Sequence, residues 1–88
     1  MKKSYFVYLL ITKRKNKSIS YVGYTNNLEN RLRLHNTGKG AKFTRGSYWK
    51  IIYKKQYKTK SMAIYNEYML KNNYKLRKKI KEKYIINE

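Results

Sequence analysis

The sequence has no cysteine, no proline and no aspartate, and its single histidine is His35. Each absence removes a class of chemistry. Without cysteine there is no disulfide staple and no thiolate zinc site, so stability must come from packing. The same lack fits a reducing compartment, and a cytoplasmic location is expected. Without aspartate a Ser-His-Asp triad is impossible, and one histidine cannot build a His-based metal cluster. No proline-rich linker and no internal repeat divides the 88 residues, so one domain is expected over positions 1–88. Long apolar runs are missing as well. Lys2 and Lys3 ahead of SYFVYLLI imitate a signal peptide. The run is too short for a membrane span, has no small-residue cleavage site and breaks into KRKNK, so no membrane insertion is expected.

Acidic residues are also scarce. Four glutamates face 23 lysines and arginines, for a formal net charge of +19. A field of this sign draws polyanions, and the 11 tyrosines add rings that stack on bases. AT-rich coding inflates lysine, which accounts for part of the excess but not for the shortage of acids. The candidates are DNA, RNA or an anionic membrane, and nucleic acid is the expected partner.

Hydrophobic patterning gives the elements. SYFVYLLIT over positions 4–12 is almost continuously apolar, as in a central strand covered on both faces. KRKNK is a polar turn, and SISYVGYT over 18–25 is the returning strand of a hairpin. Asn26 offers an N-cap with Glu29 as capping-box partner, and Gly23 marks a turn or a close approach of the backbone. The helix that follows ends near Asn36 and carries Leu28 and Leu32 as its apolar stripe. TGKGAKFTRGS is a basic, glycine-rich loop, YWKIIYKKQY a third strand over 48–57, and a second helix starts near Ser61. From about Tyr74 a very basic tail keeps Leu76, Ile80 and Tyr84 at helical spacing. The expected class is α+β: a small three-stranded antiparallel sheet flanked by helices, in the order β-β-α-β-α-α.

Few side chains stand out singly. Glu67 lies between Ala63 and Leu70 on a stripe that should face the core, where a carboxylate is costly unless it is paired, at an edge or holding a metal. A salt bridge to one of many cations explains it equally well. Arg31 and His35 are one helical turn apart and neighbours. Taken singly, Arg31 reads as a surface cation and His35 as a helix-terminal cap. Tyr8 and Tyr21 read as packing aromatics. GKGAK could cradle phosphate through backbone N–H groups and Lys39 or Lys42, but it lacks the spacing of an ATP-binding loop.

Together these residues resemble the GIY-YIG nuclease superfamily, in its short stand-alone bacterial (YhbQ-like) branch. The GIY element appears as Phe6-Val7-Tyr8 and YIG as Tyr21-Val22-Gly23. The signature arginine falls at Arg31, His35 follows one turn later with Asn36, GKGAKFTR matches a loop of this branch, and the late-helix glutamate is Glu67. The resemblance covers about residues 4–73. Two departures stand: the first glycine of GIY is replaced by Phe6, and the asparagine that many family members carry well after the glutamate has no counterpart in Asn72 or Asn73.

The resemblance implies a divalent-metal-dependent endonuclease that hydrolyses phosphodiester bonds in structured or single-stranded DNA, in repair or recombination. It assigns one Mg²⁺ or Mn²⁺ to Glu67, transition-state charge to Arg31, the general base to Tyr21 with His35 as second choice, and orientation of water or phosphate to Tyr8. The likelier partner it leaves to His35 is Tyr21 or the phosphate. Lys39, Lys42, Arg45 and Lys71 are expected to grip the backbone. A monomer or weak dimer is expected, with low specificity or a protein partner to supply it. The rival reading is a nucleic-acid-binding protein that keeps the scaffold without catalysis; membrane-surface binding by the tail is weaker.

Overall fold

The computed structural model describes residues 4–86, with only the backbone of Ile86; Lys2, Lys3 and Glu88 lie outside the described residues. The order is β1 (Tyr5–Arg14), β2 (Lys17–Thr25), α1 (Leu28–Asn36), β3 (Lys50–Tyr57), α2 (Lys60–Lys71) and α3 (Tyr74–Ile86), with a short 3₁₀ turn at Lys42–Thr44. The three strands form one antiparallel sheet in the order β2-β1-β3. The expected α+β architecture is the observed one.

β1 is central because its residues are apolar on both faces. Val7 and Leu9 point to one side, where they pack with Val22 of β2 and with Ala63 and Leu70 of α2; Ile80 of α3 leans on this cluster. Tyr8 and Leu10 point to the other, where they meet Trp49 and the partly buried Leu28 and Leu32 of α1. Each apolar side chain fully buried this way contributes about 1.5–3 kcal/mol. The hairpin joining β1 and β2 turns on two residues, Lys15 and Asn16, at φ 51° and 66°. Two positive φ values in succession match the strands' right-handed twist and keep the hairpin tight.

Three local expectations are corrected. The N-cap of α1 is Asn27, not Asn26. Its side chain accepts from the Asn30 N–H at 3.1 Å, so Glu29 is a first-turn acid and not a capping-box partner. Gly23 does not turn the chain: it is paired in β2 directly opposite Tyr8. The third strand begins at Lys50, not at 48. Trp49 is held by a side chain instead of the sheet, its N–H donating to Asn36 Oδ1 at 2.6 Å and its carbonyl accepting from Asn36 Nδ2 at 3.2 Å. α1 closes on Gly38 at φ 79°, with Lys39 N–H bonded to Leu34 O at 2.8 Å and Gly38 N–H to His35 O at 3.3 Å. This left-handed cap needs glycine and sends the chain back over His35.

Candidate active site

The site is assembled around Tyr8. Its phenol is buried and lies over Gly23, where an added Cβ would come within 2.5 Å of Tyr8 Cζ. Gly23 is thus required by the close approach of a ring to a strand backbone. The phenol meets His35 Nε2 at 2.9 Å, and His35 Nδ1 meets Thr44 Oγ1 at 2.8 Å. The Thr44 hydroxyl donates its proton to Ala41 O at 2.8 Å. It must therefore accept from Nδ1–H, which leaves Nε2 as the acceptor for the Tyr8 O–H. Gly40 completes the enclosure, since a Cβ there would stand 2.5 Å from His35 Nδ1.

His35 is fully buried. It is neither a charged helix cap nor on the rim of the core. Burial, aided by the Arg31 charge, pushes its pKa down from 6.5 to about 4, so it is neutral at physiological pH. Its hydrogen-bond partner is Tyr8 and not Tyr21; Tyr21 instead packs against its ring, with centroids 5.1 Å apart. Trp49, also fully buried, donates from Nε1 to Thr44 O at 2.9 Å and so fixes the loop carrying Thr44.

Arg31 joins the two tyrosines. Its guanidinium lies near enough to the Tyr8 and Tyr21 phenols for both to hold its charge even more firmly than usual. Burial raises the Tyr8 pKa, Arg31 opposes the rise, and the Tyr21 and Glu67 oxygens add to it. Tyr8 is therefore a neutral phenol at pH 7. Arg31 also lines an open cleft of about 440 Å³ with Tyr5, Tyr24, Thr25, Asn26 and Lys60.

Glu67 reaches this arrangement from α2, close enough for its charge to be felt at Tyr8. Its side chain is 16% exposed and ion-paired to Lys71 at 2.6 Å. Lys39, Lys42 and Arg45 are all exposed on the loop that closes over His35. The arrangement thus gathers Tyr8, Tyr21, Arg31 and His35 directly, places Glu67 within electrostatic reach, and commits Lys71 to Glu67.

Among the described residues no group of three or more His, Cys, Asp or Glu could cage a metal. One carboxylate nevertheless fits a hard divalent ion that takes most of its shell from water and phosphate oxygens. Sequence reasoning missed Thr44, Trp49 and Arg14. Arg14 donates to Ser47 Oγ at 2.7 Å and to Phe43 O at 2.7 Å, pinning the loop from β1. The quoted GKGAKFTR stretch was the only signal for Thr44, and nothing in the sequence pairs Arg14 with that loop.

A family profile for the GIY-YIG catalytic domain matches residues 4–84. The chain belongs to the GIY-YIG family. Its relatives include a UPF0213 protein of Oceanobacillus iheyensis, 46% identical over 72 residues, which cover 81% of this chain and 80% of that protein. A UPF0213 protein of Bacillus licheniformis is 50% identical over 66 residues, 74% of this chain and 65% of that one. A UPF0213 protein of Bacillus velezensis is 41% identical over 83 residues, 93% and 78% of the two chains. No solved structure matches. The GIY-YIG domain gives the chain a nuclease-like framework, and no helix among the described residues is long and apolar enough to cross a membrane.

Proposed function

We propose that this GIY-YIG chain is a divalent-metal-dependent endonuclease that hydrolyses phosphodiester bonds in DNA. The observation that carries the reading is an arginine, Arg31, lining an open cleft within electrostatic reach of both Tyr8, which is bonded to His35, and Tyr21, which packs on it. A guanidinium placed in this way can meet the non-bridging phosphate oxygens as negative charge grows on them.

The residues divide the work by their protonation. Tyr8 donates its O–H to His35, which leaves the phenol oxygen's lone pairs to face the nearby Arg31 charge and to take a hydrogen from water and orient it. Tyr21, only partly buried, is the candidate base that takes the attacking water's other proton as the new P–O bond forms and the 3′ oxygen leaves. His35 is a positioning residue: buried, neutral and bonded at both nitrogens, it acts on the reaction through Tyr8. Glu67 would hold Mg²⁺ or Mn²⁺, which when bound would supply Lewis-acid stabilisation of the leaving oxygen. Lys39, Lys42 and Arg45 would hold the backbone beside the cleft, a contact that positions without reading sequence.

The pairing of Glu67 with Lys71 favours a second reading, in which the carboxylate is structural and the chain binds nucleic acid without cutting it. One experiment separates them. Glu67→Gln should abolish cleavage of branched and single-stranded DNA under Mg²⁺ or Mn²⁺ while retaining affinity. A Glu67→Gln protein that cuts as fast as the parent removes the metal site; a parent chain that cuts nothing under either ion leaves the binding reading.

A further inference from the structure

α2 is apolar on two sides, and only one of them is covered. Its buried and half-buried positions, Ala63, Asn66, Glu67 and Leu70, fall on one stripe at i, i+3, i+4 and i+7. Between Lys60 and Lys71 every other position is exposed: Ser61, Met62, Ile64, Tyr65, Tyr68 and Met69. Five of these are large and apolar, 45–63% exposed, and none of the six is charged. Lysine and arginine make up 23 of the 88 residues, so a strip of this length without a cation is unlike the rest of the surface. Met62 and Tyr65, Tyr65 and Met69, and Ile64 and Tyr68 are neighbours at i+3 or i+4, which makes the strip continuous. A continuous exposed apolar strip of this kind marks an interaction site. A pocket of about 190 Å³ opens at its edge, between α2, β3 and α3. Met69 belongs to both; Leu70 and Leu76 add apolar walls, and Lys55 also lines the pocket.

We propose that the outer face of α2, with this pocket, docks an acidic protein that lays an amphipathic helix along it and sets one apolar side chain in the pocket. The proposal goes beyond the nuclease reading and does not depend on it. The occupant follows from charge and shape. Nucleic acid needs cations where it lies, and the strip has none. A second copy brings another formal charge of +19 and is repelled. An acidic partner is attracted by the same field, and its carboxylates can meet Lys60 and Lys71 at the ends of the strip and Lys55 at the pocket. Apolar side chains at helical spacing match a strip built on i+3 and i+4 neighbours, and a pocket beside it suits a projecting anchor.

The test uses synthetic helical peptides, with binding read by fluorescence anisotropy. Two carry the same glutamates, one with leucines at i, i+3, i+4 and i+7 and the other with alanines there. The parent chain should bind the leucine peptide about tenfold more tightly. The double variant Tyr65→Ser, Met69→Ser should lose that preference and leave its affinity for the alanine peptide unchanged. Equal parent affinities for the two peptides overturn the proposal, as does a preference that the double variant keeps. A leucine peptide with lysines in place of glutamates should not bind; equal binding overturns the acidic partner. In case the double variant folds poorly, amide shifts of the parent on adding the acidic leucine peptide supply a second measurement. Shifts along Met62–Met69 and at Leu76 support the docking face, and shifts only elsewhere overturn it. Two further outcomes replace the occupant and overturn the proposal: a dimer in high salt that the double variant abolishes, or recruitment to phosphatidylglycerol vesicles that depends on Tyr65 and Met69 when the leucine peptide shows no preference.

Discussion

The two sides of the site are built differently. On the α1 side, Tyr8, His35, Thr44 and Trp49 are all buried and bonded to one another, and among the described residues no buried side-chain polar atom lacks a partner. Breaking one link strands a buried polar group, at a cost of about 1–3 kcal/mol. On the α2 side stands Glu67, tied only to a lysine that is 52% exposed. Such a pair is worth at most about 1 kcal/mol and can be exchanged for another cation. One side is fixed before any substrate arrives; the other is free to change partners.

Arg31 acts electrostatically on Tyr8 of the fixed side, and replacing it should give the largest effect. Arg31→Ala should lower single-turnover cleavage by roughly 10²–10³-fold. Affinity should change by less than about threefold, because Arg31 is one cation among the 23 lysines and arginines of the sequence. If affinity falls as far as rate, Arg31 is an ordinary phosphate contact and the fixed side has no catalytic meaning.

His35 supplies the next effect, on stability. Its pKa is about 4 when folded and 6.5 when free. Between these values the unfolded chain binds a proton that the folded chain refuses. Stability is therefore complete above about pH 6.5, falls as the pH drops, and has lost about 3 kcal/mol by pH 4. Urea melts across this window should show the fall in the parent, and a flat profile in His35→Gln. A flat parent profile would mean that His35 is accessible to water and the network loose.

Gly23 tests the same side more gently. Gly23→Ala places a methyl group within 2.5 Å of Tyr8 Cζ and forces the ring off His35. Overpacking of this kind costs about 1–3 kcal/mol. Cleavage should fall further than stability predicts, since Tyr8 would lose its orientation. A Gly23→Ala chain with parental melting and rate would show that Tyr8 has room to move.

What the sequence revealed follows the same division. Periodic apolar residues placed all six main elements, and Val7, Leu9, Ala63 and Leu70, drawn from β1 and α2, meet in one buried cluster. The resemblance gathered Tyr8, Tyr21, Arg31 and His35 into one place, and the geometry joins them. The links between them were hidden because they depend on how the loop closes. His35 pairs with Tyr8 because Tyr8 is directly opposite Gly23 and nothing else fills that space. Thr44 reaches His35 only after Gly38 reverses the chain. Asn26 and Asn27 are equally good caps as residues; the Thr25 hydroxyl, which accepts from the Asn27 N–H at 3.1 Å, helps set the frame. Periodicity reports which face is buried, and pairings across the fold need three dimensions.

The adjustable side gives the smallest effect and the most informative one. Lys71 occupies one Glu67 oxygen at 2.6 Å, so a metal ion binding there competes with it for the carboxylate charge. Lys71→Ala removes the competitor. The melting free energy should change by less than about 1 kcal/mol, since the lost pair is largely exposed. The Mg²⁺ concentration needed for half-maximal cleavage should fall by several-fold, because the carboxylate is no longer shared. If Lys71 instead grips the DNA backbone, Lys71→Ala should leave the Mg²⁺ requirement where it was and weaken binding, with the salt dependence reduced by about one phosphate contact. Titrating Mg²⁺ in one assay and salt in another thus assigns the lysine. A lower metal requirement would also locate the ion at Glu67 without mutating the carboxylate itself, which the Glu67→Gln experiment cannot do.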